Sequence, residues 1–196
     1  MPRSNQQAGY SMVEILGVVA VIGIVSAIAL PMSNRTVGGL RVHGNARAIA
    51  NSVTVAKMRA ASAFTRARVF VDLGTNSFFI QTWNRTTNAW EAQGGAVRTS
   101  TGVTFGFGGL AAPPPNTQAT IAQSPPCTDD NGNNIANTSC IVFNSRGIPI
   151  DSTGSPTGNN ALYVTDGTGV YATTLTATPL TRLWWSPASG AAWAQQ

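Results

Sequence analysis

Residues 10–31 read YSMVEILGVVAVIGIVSAIALP, and this stretch decides how the chain is built. From Ile15 to Leu30 sixteen residues run with Ser26 as the only polar side chain. Extended back to Tyr10 and on to Met32, a helix of about 23 residues rises about 34 Å, enough to cross a hydrocarbon core of ~30 Å. Such a run has no polar face to turn to water, which argues against a core helix of a soluble domain. A secretory signal peptide would be followed by a small-residue cleavage site, whereas PMSNRTVGG follows here. Glu14 is the oddity. A carboxylate inside an apolar span is expensive and points to function, while one at its edge reaches water and marks the boundary. Both readings stay open. Gly17, Gly23 and Pro31 interrupt the run. Pro31 has no N–H to donate, so a helix break is expected between Gly23 and Pro31.

Upstream, residues 1–9 (MPRSNQQAG) are polar, and Arg3 is their only charged side chain. A short basic leader ending in Gly, an aromatic residue, a Ser, a Glu as the fifth residue after the Gly and then an apolar helix together resemble the prepilin signature of type IV pilins. The resemblance implies that a prepilin peptidase cuts the Gly9–Tyr10 bond and methylates the new amine of Tyr10. It also implies that Glu14 is the assembly carboxylate. Tyr10 stands where most members have Phe, and Met12 replaces the commoner Leu. Cleavage would create a cationic amine one helical turn from Glu14. In a bundle of such helices, Glu14 of one subunit would meet the amine of the incoming one, because either charge left unpaired in apolar surroundings is costly.

Downstream, MSNRTVGGLRVHGN carries Gly38, Gly39 and Gly44, which leaves a straight helix open. From Asn45 the periodicity returns. Ala46, Ile49, Val53, Ala56, Ala60, Phe64 and Ala67 recur at steps of three and four, predicting an amphipathic helix within residues 33–68. Between Glu14 and Asp72 there is no acid, while Arg35, Arg41, Arg47, Lys57, Arg59, Arg66 and Arg68 supply seven cations. That asymmetry fits an anionic neighbour (lipid head groups, acidic subunits, nucleic acid) or simply a solvated helix face.

Beyond Arg68 the pattern turns to short β-rich runs. VFVDL, SFFIQTW, GVTFGF, CIVFNS, ALYVTD, GVYATTLT and TRLWW predict about seven strands. Asp166-Gly167-Thr168-Gly169 between two of these runs predicts a hairpin. Cys127 and Cys140 lie in a segment rich in Pro, Asn, Asp and Gly, and their spacing suits a disulfide or, in a reducing compartment, two free thiols. A bridge there would constrain the unfolded chain by roughly 3 kcal/mol. The organisation expected is a leader (1–9), a membrane or filament-core helix (10–32), an amphipathic helix (33–68) and a β-rich head (69–196). The fold class is α+β, with the helix packed on an antiparallel β-sheet head.

The basic helix running into RARVFVDL, a strand with Trp83 and Trp90, IVFNSRG and a final TRLWW resemble the GspH/FimT group of minor pilins and pseudopilins. That resemblance implies a structural subunit of a type IV pilus or type II secretion filament, acting in assembly initiation or at the tip. Its partners would be other pilins or pseudopilins and the prepilin peptidase. Its location would be the bacterial inner membrane, with the head in the periplasm.

No catalytic constellation emerges. His43 is the only histidine, so neither a Ser/His/Asp arrangement nor a zinc site has its parts, and no cofactor or metal is expected. Asp129 and Asp130 in TDDNGNN lack the spacing and closing Glu of a calcium loop and read as a turn. A DNA-binding role in uptake would need exposed cations on the head. After Asp72 there are only Arg85, Arg98, Arg146 and Arg182, with Trp184, Trp185 and Trp193 as stacking groups or buried anchors.

Overall fold

The computed structural model describes residues 11–190 and 192–196, with side chains for all of these except 30–36. The chain forms two compact units, which divide between Gly38 and Gly39.

A single helix, α1 (Met12–Ser62), starts in the first unit and ends in the second. Ser11 caps it. Its Oγ accepts the Val13 N–H at 3.2 Å, and its carbonyl accepts the N–H groups of Glu14 and Ile15 at 3.0 and 3.2 Å. A serine at this position satisfies donors that the first turn would otherwise leave unpaired. Glu14 in the first turn also faces the positive end of the helix dipole.

The backbone stays helical through Gly23 and through Pro31, so the expected break is absent from this single chain. Gly38, Gly39 and Gly44 are helical as well. A proline inside a helix removes one intrahelical bond and costs about 3 kcal/mol, which the long bonded stretches on either side outweigh. The C-terminal end departs from expectation too. The helix stops at Ser62 because Phe64 takes φ 49°, and the Thr65 N–H bonds back to the Ala60 carbonyl at 3.2 Å. This is a left-handed helix cap, with Phe64 where glycine is usual. Phe64 is consequently turned out, 73% exposed, and Ala67 belongs to the first strand instead of the helical stripe.

In the second unit, α1 buries Val42, Ala46, Ile49, Val53, Ala56 and Ala60, alternating steps of four and three. These side chains join one core with Val69, Phe78 and Ile141 and with Leu162, Val164 and Leu175. The two groups come from two antiparallel five-stranded sheets. The first runs in the order β3 (Ala89–Arg98), β2 (Ser77–Asn84), β1 (Ala67–Asp72), β5 (Thr138–Phe143), β6 (Pro149–Ile150). The second runs β10 (Ala194–Gln195), β9 (Thr181–Pro187), β8 (Gly169–Leu175), β7 (Asn160–Thr165), β4 (Thr104–Phe105).

The seven expected runs all contribute strands, and β3, β6 and β10 are additions. β3 reads AWEAQGGAVR, weak in β-formers, and exists because it pairs with β2, where Trp83 sits opposite Trp90. The two tryptophans therefore lie on neighbouring strands and not on one. Register between β2 and β3 jumps from Phe78 opposite Val97 to Ile80 opposite Gln93, a bulge containing Gly94 at φ 88° and Gly95.

The stretch from Gly106 to Asn137 straps the outer faces of both sheets. Its first half packs Leu110 and Ile121 with Tyr163, Val170 and Trp184 of the second sheet. Gln123 finishes the open border of β7 by exchanging hydrogen bonds of 2.9 Å with both the N–H and the carbonyl of Tyr163. The second half lies on the first sheet, pinned by Cys127–Cys140. The hairpin joining β7 to β8 forms as expected. Asp166 Oδ1 accepts the N–H groups of Thr168 and Gly169 at 2.9 and 3.0 Å, and Gly167 supplies φ 85°.

Candidate functional site

In the first unit, Met12–Ala29 is long and apolar enough to cross a membrane: 18 residues, mean hydropathy 2.5, none of it buried. Met12, Val13, Ile15 and Leu16 are each more than half exposed, and the exposure continues around the helix through Ile28. A helix apolar on every side needs a solvent other than water, either lipid or other helices of the same kind. Glu14 is the only ionisable side chain of this stretch and is exposed, one turn inside the Ser11 cap. The sequence thus sets a single carboxylate at the N-terminal edge of an apolar rod. Gly9 and Tyr10, the expected cleavage and methylation positions, lie outside the described residues. The serine cap escaped the sequence reading, although Ser11-x-x-Glu14 is a helix-start signature.

In the second unit, Cys127 and Cys140 are bonded, with Cα atoms 4.9 Å apart, and both are buried. The two cysteines are thus placed as the first of the two expected alternatives requires. Around the bridge stands a cluster that the sequence did not announce. Arg68, 2% exposed on the outer face of β1, donates through Nε to Gln81 Oε1 at 2.7 Å and through Nη1 to the Thr128 carbonyl at 2.6 Å. Its guanidinium carbon lies 4.0 Å from the ring centre of Trp90, while that of Arg66 lies 4.4 Å from Trp83. Trp83 and Trp90 meet edge to face at 5.3 Å. Burial lowers the Arg68 pKa to about 10, with Asp130 opposing and Arg66 adding to the shift. Arg68 is therefore charged at neutral pH and acts as a pin between strand, strap and indole. The signal available in sequence was alternation: Arg66, just before β1, and Arg68 within it alternate with the buried Ala67 and Val69.

The expected nucleic-acid groups are not gathered. Arg85 donates to the Phe64 carbonyl. Trp184 is buried, with Nε1 on Thr174 Oγ1 at 3.0 Å, and Trp193 gives its N–H to the Ala112 carbonyl at 2.9 Å. Two of the three tryptophans are thus anchors for the fold. Among the described residues, no group of His, Cys, Asp and Glu is arranged to hold a metal ion. Asp129 belongs to a turn: Oδ1 accepts the N–H groups of Asn131 and Asn133, and Oδ2 accepts Asn133 Nδ2.

Residues 4–30 match the family model of the prokaryotic N-terminal methylation motif. No curated protein matches the chain. Among solved structures, the chain is similar to a minor pseudopilin, EpsH, from the type 2 secretion system of Vibrio cholerae. One structure of it aligns at 11% identity and TM-score 0.45, over 73% of this chain and 95% of that one. A second aligns at 12% identity and TM-score 0.45, over 78% and 96%.

Proposed function

We propose that this chain, type IV pilin-like by its N-terminal methylation motif, is a minor pilin or pseudopilin, a non-enzymatic structural subunit of a type IV pilus or type II secretion filament. The observation that carries the reading is the coincidence of that motif over residues 4–30 with an exposed apolar helix bearing one carboxylate in its first turn. The helix anchors the precursor in the inner membrane, and the head stands in the periplasm, where an oxidising environment keeps Cys127–Cys140 closed. A prepilin peptidase cleaves after Gly9 and methylates Tyr10. The helix then leaves lipid for a bundle of like helices, which exchanges one apolar solvent for another. In that bundle Glu14 pairs with the N-terminal amine of a neighbouring subunit and fixes the axial register.

Mass spectrometry of the protein purified from membranes tests the reading. A chain beginning with methylated Tyr10 is the expected result, and an intact Met1 in the membrane fraction of a host with an active prepilin peptidase overturns it.

A further inference from the structure

A cleft of about 530 Å³ opens in the head between the disulfide-pinned strap and the 151–160 loop. Its size falls in the ~300–1,000 Å³ range of small-molecule sites. One side carries Trp83, Trp90 and Arg66; Val142, Ile150 and the Cys140 end of the bridge add apolar surface; Asp129, Asp130 and Asp151 add negative charge. Asn131, Thr153 and Thr157 contribute hydroxyl and amide groups. Asn160, 4% exposed, also lines it, and its Nδ2 has no hydrogen-bond partner among the described residues.

The lining discriminates among ligand classes. Three carboxylates against Arg66 make the cleft negative, which disfavours nucleic acid, phosphate and acidic peptides. A cationic side chain is also poorly served. Beside either indole it meets the like charge of Arg66 or Arg68, which an uncharged ligand does not feel, while Asp129 and Asp151 spend acceptor capacity on their own turns. What remains is a pair of indoles steadied by guanidinium groups, surrounded by short side chains that both donate and accept. A sugar ring suits both: its C–H face packs on an indole, and each of its hydroxyls donates and accepts. We propose that this cleft, built on Trp83 and Trp90 and rimmed by Asn131, Thr153 and Thr157, binds an uncharged oligosaccharide. The inference goes beyond the filament reading and does not depend on it.

The test uses the full chain in a phosphocholine detergent, which has no sugar head group, titrated with triacetylchitotriose, maltotriose and cellotriose. Saturation-transfer NMR detects contact, and calorimetry gives affinity. Two variants locate the site. Trp83→Leu removes an indole, and Asn131→Ala removes an exposed amide that makes no side-chain hydrogen bond among the described residues. At least one trisaccharide is expected to bind, about tenfold or more weakly to Trp83→Leu and measurably more weakly to Asn131→Ala. Because Asn131→Ala leaves the fold's own bonds untouched, it decides the matter if Trp83→Leu misfolds. Binding of none of the three sugars, or binding unchanged in a folded variant set, overturns the proposal. So does binding of a lysine-rich peptide in place of any sugar.

Discussion

Glu14 and Arg68 are both ionisable side chains set beside apolar neighbours, and they differ in what removing them would do. Glu14 is exposed at a capped helix start, so Glu14→Ala disturbs no packing within the chain. Membrane insertion is expected to persist while incorporation into filaments falls, read by fractionating sheared filaments from membranes; normal incorporation would remove the pairing idea. Arg68 is the opposite case. Arg68→Ala takes the charged donor from the half-buried Thr128 carbonyl and Gln81 Oε1 and the cation from Trp90. A loss of about 3 kcal/mol is expected in urea unfolding of the full chain, with membrane insertion unaffected. Glu14 was legible in the sequence because a charge beside sixteen nearly unbroken apolar residues is a local anomaly. Arg68 was not, because only its strand register and the distant strap place it inside.

The same contrast runs through the elements. The apolar rod and the stripe of Ala46, Ile49, Val53, Ala56 and Ala60 follow from periodicity, and the β-rich runs follow from composition and turn residues. The helix end did not. Phe64 fits the helical spacing, but the chain turns left-handed there, an outcome decided by where β1 must begin. β3 escaped because its residues form a strand only against β2. The strap over the first sheet depends on one covalent tie across a separation of 13 residues. Replacing both cysteines by alanine should cost about 3 kcal/mol on the loop-entropy account. Denaturation curves with and without reductant should differ by that amount in the native chain and coincide in the double variant. Loss of the cleft, read as loss of sugar binding, should accompany reduction, since Cys140 and the strap both line it.

At the scale of the molecule, the formal charge of +5 hides a small set of acids that hold the loops of the head together. Asp72, Asp129 and Asp151 are held below the ordinary carboxyl range by hydrogen bonds led respectively by the Thr75 N–H, the Asn133 side chain and the Thr153 hydroxyl. Depressed carboxyls stabilise the fold above their unfolded value of ~3.9, and that contribution fades as pH falls through the lower folded values. Thermal unfolding should therefore be level from about pH 5 to 7 and shift downward below about pH 4; a flat profile to lower pH would mean that these turns contribute nothing. The bulge in β3 has a consequence for crowding. β3 borders its sheet, with no further strand beyond it among the described residues and only the Trp90 N–H held from outside, by Asp130, and a flat ten-residue border would be a template for stray strands wherever many copies gather. Gly94 and Gly95 break that border into two short lengths, neither long enough to zip onto a stranger. Deleting the two glycines should lengthen the ladder with β2 and, by the same stroke, make the chain precipitate as its concentration rises, so this irregularity trades a little stability for staying in solution.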